Sequence, residues 1–180
     1  MIISNELLNF LIKKKVKFFT GVPDSVLKNF LEQISKLGKK NHVETFNEGS
    51  AVSLAIGYNL ATKKIPCVYF QNSGLGNAIN PLVSIAHPKV YSVPLLLLIG
   101  WRGSPFMKSD EPQHNVKGKI TRDILKLLGI KFLIIRTKKD FSKISNLLDF
   151  AKRYSRPIAL LVENNILKSK LEIKKKKIFK

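Results

Sequence analysis

"PCVYFQNSGLGNAINPL", residues 66–82, decides how the rest of the chain is read. It opens with a short β-rich apolar run that ends in glutamine, passes through a turn with two glycines, and continues in small and apolar residues at helical spacing. Strand, turn and helix in that order form the repeating unit of a parallel α/β sheet. The glycines read as a tight turn that uses their backbone freedom, ahead of a short helix from about Ala78 to Ile85. A glycine-rich turn before a helix also invites a phosphate-binding reading. Here Ile79 stands where the dinucleotide fingerprint needs a third small residue, and no Lys-Ser/Thr pair follows, so Rossmann and P-loop assignments are weak.

Outward from this stretch the pattern repeats. Ser4 is placed to cap a helix through about Lys15; the strand "VKFFT", the turn "GVPD" and a helix from Ser25 to about Leu37 follow. Next come a strand "HVETF", a helix from Glu48 to about Thr62, and, beyond residue 85, the strand "VPLLLLIG". "WRGSPFMKSDEPQHNVKGK" shows no clear period and reads as a long loop, a kind that is usually functional in a compact domain. The last third reads as helix (Thr121 to Leu128), strand "KFLIIR", helix (Phe141 to Arg153) and strand "PIALLVE". The expected fold is an α/β three-layer domain, a central parallel sheet flanked by helices, over residues 1–167, with a Lys-rich tail at 168–180. Polar residues gather where strands end, in "TGVPDS", "FNEGS", "QNSGLGN" and "GWRGS". Parallel sheets bind ligands outside the carboxyl ends of their strands, so these four turns are expected to line one cleft.

Composition narrows the class. With 44% hydrophobic residues among 180 and a mean hydropathy near zero, the chain can bury the core of one soluble domain. Its longest apolar run, "VPLLLLIG", is far short of the roughly 20 residues of a membrane helix. The N-terminal charges follow the apolar stretch, unlike a secretory signal, so a cytoplasmic protein with no membrane partner is expected. Cys67, the single cysteine, excludes an internal disulfide and reads as a core thiol. The formal charge of +20 is nearly all lysine, dispersed along the chain. Few arginine forks accompany it, which favours solvated lysine faces over a nucleic-acid surface. A noncatalytic domain binding anions or nucleic acid is the competing class.

Glu48 begins a helix that is poor in bulk, with Gly49, Ser50, Ala51 and Ala55 near it. The helix dipole alone justifies a carboxylate there, and open space beside it equally suits a flat ligand and proton transfer. Asp24 and Ser25 are available as N-caps after Pro23. His114 sits on the irregular stretch behind Asp110 and Glu111, where an imidazole suits proton transfer near neutral pH. Asn72 and Ser73 can line a small polar site, and Arg102 can hold a doubly charged anion in its planar fork or be a surface arginine. His42 and His87 receive no role, and no histidine pair or carboxylate spacing supports a metal site.

Taken in order, "GVPDS", "FNEGSAVSLAIGYNLA", "QNSGLGNAINPL", "LLLLIGWRG" and "DEPQHNVKG" resemble the pyrimidine-binding domain of thiamin-diphosphate-dependent 2-oxoacid decarboxylases. The resemblance covers about Ser4 to Leu167 and is nearest to members acting on phosphonopyruvate. It implies that Glu48 hydrogen-bonds the cofactor's aminopyrimidine and promotes the tautomer that activates the thiazolium carbon. It also implies proton roles for Asp24 and His114, and cofactor contacts for Pro23, Asn72 and Gly74. Ser25, Asn72, Ser73 and Arg102 fall on the substrate side, Arg102 being matched to the phosphonate. The alpha subunit of sulfopyruvate decarboxylase shares "QNSGLGN" and gives the alternative substrate; "VPDS" and "DEPQH" in this chain rank phosphonopyruvate first. Family members also hold Mg2+ and the cofactor's diphosphate on a Gly-Asp-Gly motif, and no Gly-Asp-Gly occurs here. The expectation is therefore either a truncated, inactive half, or a hetero-oligomer or homodimer of pyrimidine domains that needs a diphosphate-binding domain on a separate chain and a small 2-oxoacid substrate. The metal would sit on that partner, and the isolated chain should expose a large apolar surface.

Overall fold

A computed structural model describes residues 1–107 and 110–170. Six parallel strands form the central sheet: β2 (Phe19–Gly21), β3 (His42–Glu44), β4 (Cys67–Gln71), β5 (Leu96–Trp101), β6 (Lys131–Ile135) and β7 (Ile158–Glu163). They lie in the order β3-β2-β4-β5-β7-β6. A parallel pair of two-residue strands, β1 (Ile2–Ile3) and β8 (Leu167–Lys168), ties the N-terminus to the end of the domain. That pairing takes in Lys168, and residues 171–180 of the expected tail lie outside the described residues.

Alternation along the strands builds two cores. Cys67 and Tyr69, Leu96 and Leu98, and Ile158 and Leu160 face α1 (Ser4–Lys13), α2 (Lys28–Ile34) and α6 (Phe141–Tyr154). Val68 and Phe70, Leu97 and Ile99, and Ala159 and Leu161 face α3 (Glu48–Thr62), α4 (Leu75–Pro81) and α5 (Pro112–Leu127). β5 is buried on both faces, as a central parallel strand should be. The expected three-layer fold is thus present, and Cys67 is the buried core thiol it was read as.

Four local readings are corrected. Ser4 does not cap α1; Ile3 holds that position and the Ser4 hydroxyl lies inside the helix start. Asp24 stands at the N-cap of a short 3-10 turn, Ser25–Leu27, yet its side chain makes no capping bond. The "NSGLGN" stretch is not a turn of positive-φ glycines. Asn72–Gly74 is a 3-10 turn running into α4, and Gly74 has φ −80°. The helix then ends in a π segment, Leu82–Ala86, where Pro81 lacks the N–H that the regular ladder needs. Finally, "PQHNVKGK" is helical: Pro112 opens α5 at its first turn, so His114 stands on a helix rather than a loop.

Candidate active site

The carboxyl ends of β3, β2, β4 and β5 are neighbours in the sheet, which brings the four polar turns to one edge. Strand order reverses between β2 and β4, the position where open parallel sheets leave a crevice. The connections after these strands carry Asp24, Glu48, Asn72 to Gly74 and Arg102.

Glu48 opens α3, whose true cap is Asn47; the Asn47 side chain accepts the Ser50 N–H at 2.8 Å. The half-buried Glu48 side chain reaches across to α4. There the Asn77 amide donates to its Oε2 at 2.8 Å. The carboxylate lies against Gly74, so closely that a β-carbon on residue 74 would stand 2.0 Å from Oε1. Gly74 is therefore required by this approach and not by its dihedral angles. Beside the pair, a groove of about 500 Å³ runs between α3 and α4, lined by Gly49, Ser50, Ser53, Asn77, Asn80 and Ser84.

Asp24 is seated in the same manner on a second glycine. Its Oδ2 occupies the place of a β-carbon on Gly100, 1.8 Å from the position that carbon would take. Oδ2 has no hydrogen-bond partner among the described residues. Its Oδ1 accepts from the Gln71 amide at 3.1 Å, and Gln71 Oε1 accepts the Ser73 hydroxyl at 2.8 Å. Burial pushes the Asp24 carboxyl up from its ordinary value, against the opposing pull of the Gln71 bond and of Arg102. An acid raised in this way favours the protonated form that can deliver a proton.

Asn72 has another part. Its amide donates to the Arg102 carbonyl at 3.0 Å and to the Thr121 hydroxyl at 2.9 Å, and its oxygen accepts the Arg102 N–H at 3.0 Å. The side chain thus ties β4, β5 and α5 together inside the fold. Arg102 forms a two-pronged pair with Asp110, at 2.7 and 2.6 Å. His114, in the first turn of α5, has Nε2 at 3.4 Å from Glu111. Pro23 and Ser25 lie on the α2 side, in a groove with Lys28 and Glu44. That groove is distinct from the one between α3 and α4.

Sequence reading missed Gln71, Asn77 and Thr121. Gln71 had a visible signal, a polar residue closing an apolar strand at its carboxyl end; Asn77 and Thr121 carry none without the packing of α4 and α5. His42, left without a role, shares a 2.7 Å hydrogen bond with the Tyr69 hydroxyl. Among the described residues no cluster of His, Cys, Asp and Glu could hold a metal ion.

Residues 1–125 match the family described as "Thiamine pyrophosphate enzyme, N-terminal TPP binding domain". The chain belongs to that family. It is similar to a phosphonopyruvate decarboxylase of Streptomyces viridochromogenes, 37% identical over 67% of this chain and 29% of the relative. A second similarity is to the sulfopyruvate decarboxylase subunit alpha of Methanothermobacter thermautotrophicus, 30% identical over 82% of this chain and 87% of that subunit. The chain spans about a third or less of the length of the phosphonopyruvate decarboxylases it matches. In structure it is similar to benzoylformate decarboxylase from Polynucleobacter necessarius, with a TM-score of 0.69 and 21% identity over 91% of this chain and 30% of that one. This likeness bears on the fold alone and agrees with the observed sheet and helices.

Proposed function

We propose that this chain is the pyrimidine-binding part of a thiamin-diphosphate-dependent decarboxylase that converts 3-phosphonopyruvate to phosphonoacetaldehyde and carbon dioxide. The observation that carries the reading is the Glu48 carboxylate, fixed between Asn77 and the bare face of Gly74 at the mouth of a cleft of small residues. These residues would suit a flat heteroaromatic ring: Gly49, Ser50 and Ser53 leave little bulk in the groove beside Glu48, and Gly74 seats the carboxylate that would accept a proton from it. Gly74 belongs to the cofactor site through Glu48, and Asn72 serves it by holding the β4 and β5 connections in place, whereas Pro23 lines the separate groove on the α2 side. When bound, thiamin diphosphate supplies the carbanion chemistry, and the protein supplies orientation and proton transfer.

In the reaction the bond between the substrate's carboxyl and carbonyl carbons breaks, carbon dioxide leaves, and a proton takes its place on the carbonyl carbon. Asp24, raised by burial and placed beyond β2, suits the delivery of that proton. His114 suits proton exchange from the α5 side, while Ser25 and Ser73 offer hydroxyls to the 2-oxoacid. The diphosphate and Mg2+ belong to a domain beyond these 180 residues, apposed to the α3–α4 edge. Apart from Glu48 that edge is free of charge: α3 holds no other charged residue, and residues 75–86 contain none. It exposes Leu54, Ile79 and Val83, the kind of surface a partner domain covers.

A second reading, the sulfopyruvate reaction, draws support from the match along 87% of the alpha subunit named above. Side-by-side assays of the two 2-oxoacids, with the chain joined to its diphosphate-binding partner, separate them. A higher kcat/KM for phosphonopyruvate is expected; preference for the sulfonate reverses the assignment.

A further inference from the structure

Resting on the reading above, this inference concerns the one cation that the sequence matched to the substrate's phosphonate. We propose that Arg102 is a positioning residue: with Asp110 and Glu111 it forms a charged clasp that fixes the first turn of α5, and His114 with it, and it is not the phosphonate anchor.

Five contacts make the clasp. The Arg102 fork donates to Asp110 from Nε at 2.7 Å and from an amino group at 2.6 Å, occupying both carboxylate oxygens. The same Asp110 accepts the Gly103 N–H at 2.9 Å and the Glu111 N–H at 2.9 Å. One carboxylate thus binds the start and the end of the β5–α5 connection. Glu111 adds a second acid 3.7 Å from the guanidinium.

From Glu111 the path reaches His114 twice. The Glu111 carbonyl accepts the His114 N–H at 2.8 Å, and its carboxylate stands 3.4 Å from the imidazole Nε2. The foot of the clasp is equally fixed, because Asn72 holds both backbone polar groups of Arg102. Gly103, with φ +65°, lets the His114 carbonyl approach so closely that a β-carbon there would stand 1.9 Å from it. An arginine awaiting a dianion should present uncompensated charge, and this one faces two carboxylates. The Arg102 and Asp110 side chains are 18% and 15% exposed, so the pair is screened less than an exposed pair.

Two experiments decide it. In the first, amide hydrogen exchange is measured on the chain by itself. Arg102→Gln and Asp110→Asn are each expected to speed exchange at Gly103, Glu111 and His114 by about tenfold, and the double variant to add little. Unchanged protection at Glu111 and His114 in Arg102→Gln overturns the clasp. In the second, the complex with the diphosphate-binding domain is assayed. Both variants should lower kcat alike and leave KM for 3-phosphonopyruvate within about threefold. A KM rise confined to Arg102→Gln, with kcat intact, makes Arg102 the anchor and overturns the proposal. If the wild-type complex decarboxylates neither 2-oxoacid, the functional reading fails, and the exchange experiment still decides the clasp.

Discussion

Glu48 and Asp24 are each seated against a glycine of another element, Gly74 in the turn after β4 and Gly100 in β5. The far end of Glu48 fills the space over Gly74, and Asp24 fills that over Gly100. A methyl group on residue 74 meets the Glu48 side chain from Cγ to Oε1, and that flexible chain can swing away about its own bonds. Gly74→Ala should therefore shift the thermal midpoint by no more than about 2 °C while lowering decarboxylation by the assembled enzyme about 100-fold. Calorimetry and turnover on the same preparation check both halves. The Asp24 carboxyl gives a pH-dependent prediction. Its pKa is raised in the folded state, so the native chain binds its proton more readily than the unfolded one. Stability is thus lost as pH rises from the ordinary aspartate range to the raised value. Asp24→Asn should stabilise the fold at neutral pH, with the gain shrinking towards pH about 4 in denaturant titrations. From sequence, Glu48 was legible as an acid at a helix mouth, because position alone marks it. Its partnership with Gly74 was not, since a glycine chosen for close approach looks the same as one chosen for a turn.

At the scale of elements, the strands were legible because alternation and apolar runs survive any packing. Helix α5 was legible only from Thr121 onward. Its first turns, "PQHNVKGK", are polar and contain a glycine, so periodicity and propensity both argue against helix there. Tertiary contacts decide otherwise. The Trp101 indole donates to the Gly118 carbonyl at 2.9 Å, Asn72 reaches Thr121, and Gly118 lies on the Gly103 backbone. A β-carbon on residue 118 would stand 1.8 Å from the Gly103 carbonyl oxygen, and backbone cannot swing aside. Gly118→Ala, favourable in an isolated helix, should instead destabilise this chain by about 2 kcal/mol in urea unfolding. The opposite sign means that α5 does not pack as described.

Across the whole molecule, one group of basic residues gathers at the amino ends of the strands. Lys13 to Lys15 and Lys17 precede β2, Lys39 and Lys40 precede β3, and Lys63 and Lys64 precede β4. Lys152, Arg153 and Arg156 precede β7. These exposed bases stand at the amino ends of the strands, away from the edge that carries Asp24 and Glu48. Basic residues in the last turns of α1 and α6 complement the helix dipoles, which accounts for part of this grouping. The sequence showed the lysines but not their side, because only the strand order places those connections together. The exposed apolar residues of the α3–α4 edge make their own prediction: Val83→Asp should abolish complex formation with a diphosphate-binding partner in size-exclusion chromatography, leaving the chain folded by circular dichroism. A complex that survives places the partner elsewhere.

We assign Glu48 as the proton partner of a thiamin pyrimidine. That role is tested by cofactor-dependent release of carbon dioxide from 3-phosphonopyruvate by the assembled complex, wild type against Glu48→Gln. The substitution keeps shape and removes the ionisable group. Turnover should fall about 100-fold or more with the complex intact. Turnover equal to wild type would make Glu48 a helix-start residue and nothing more.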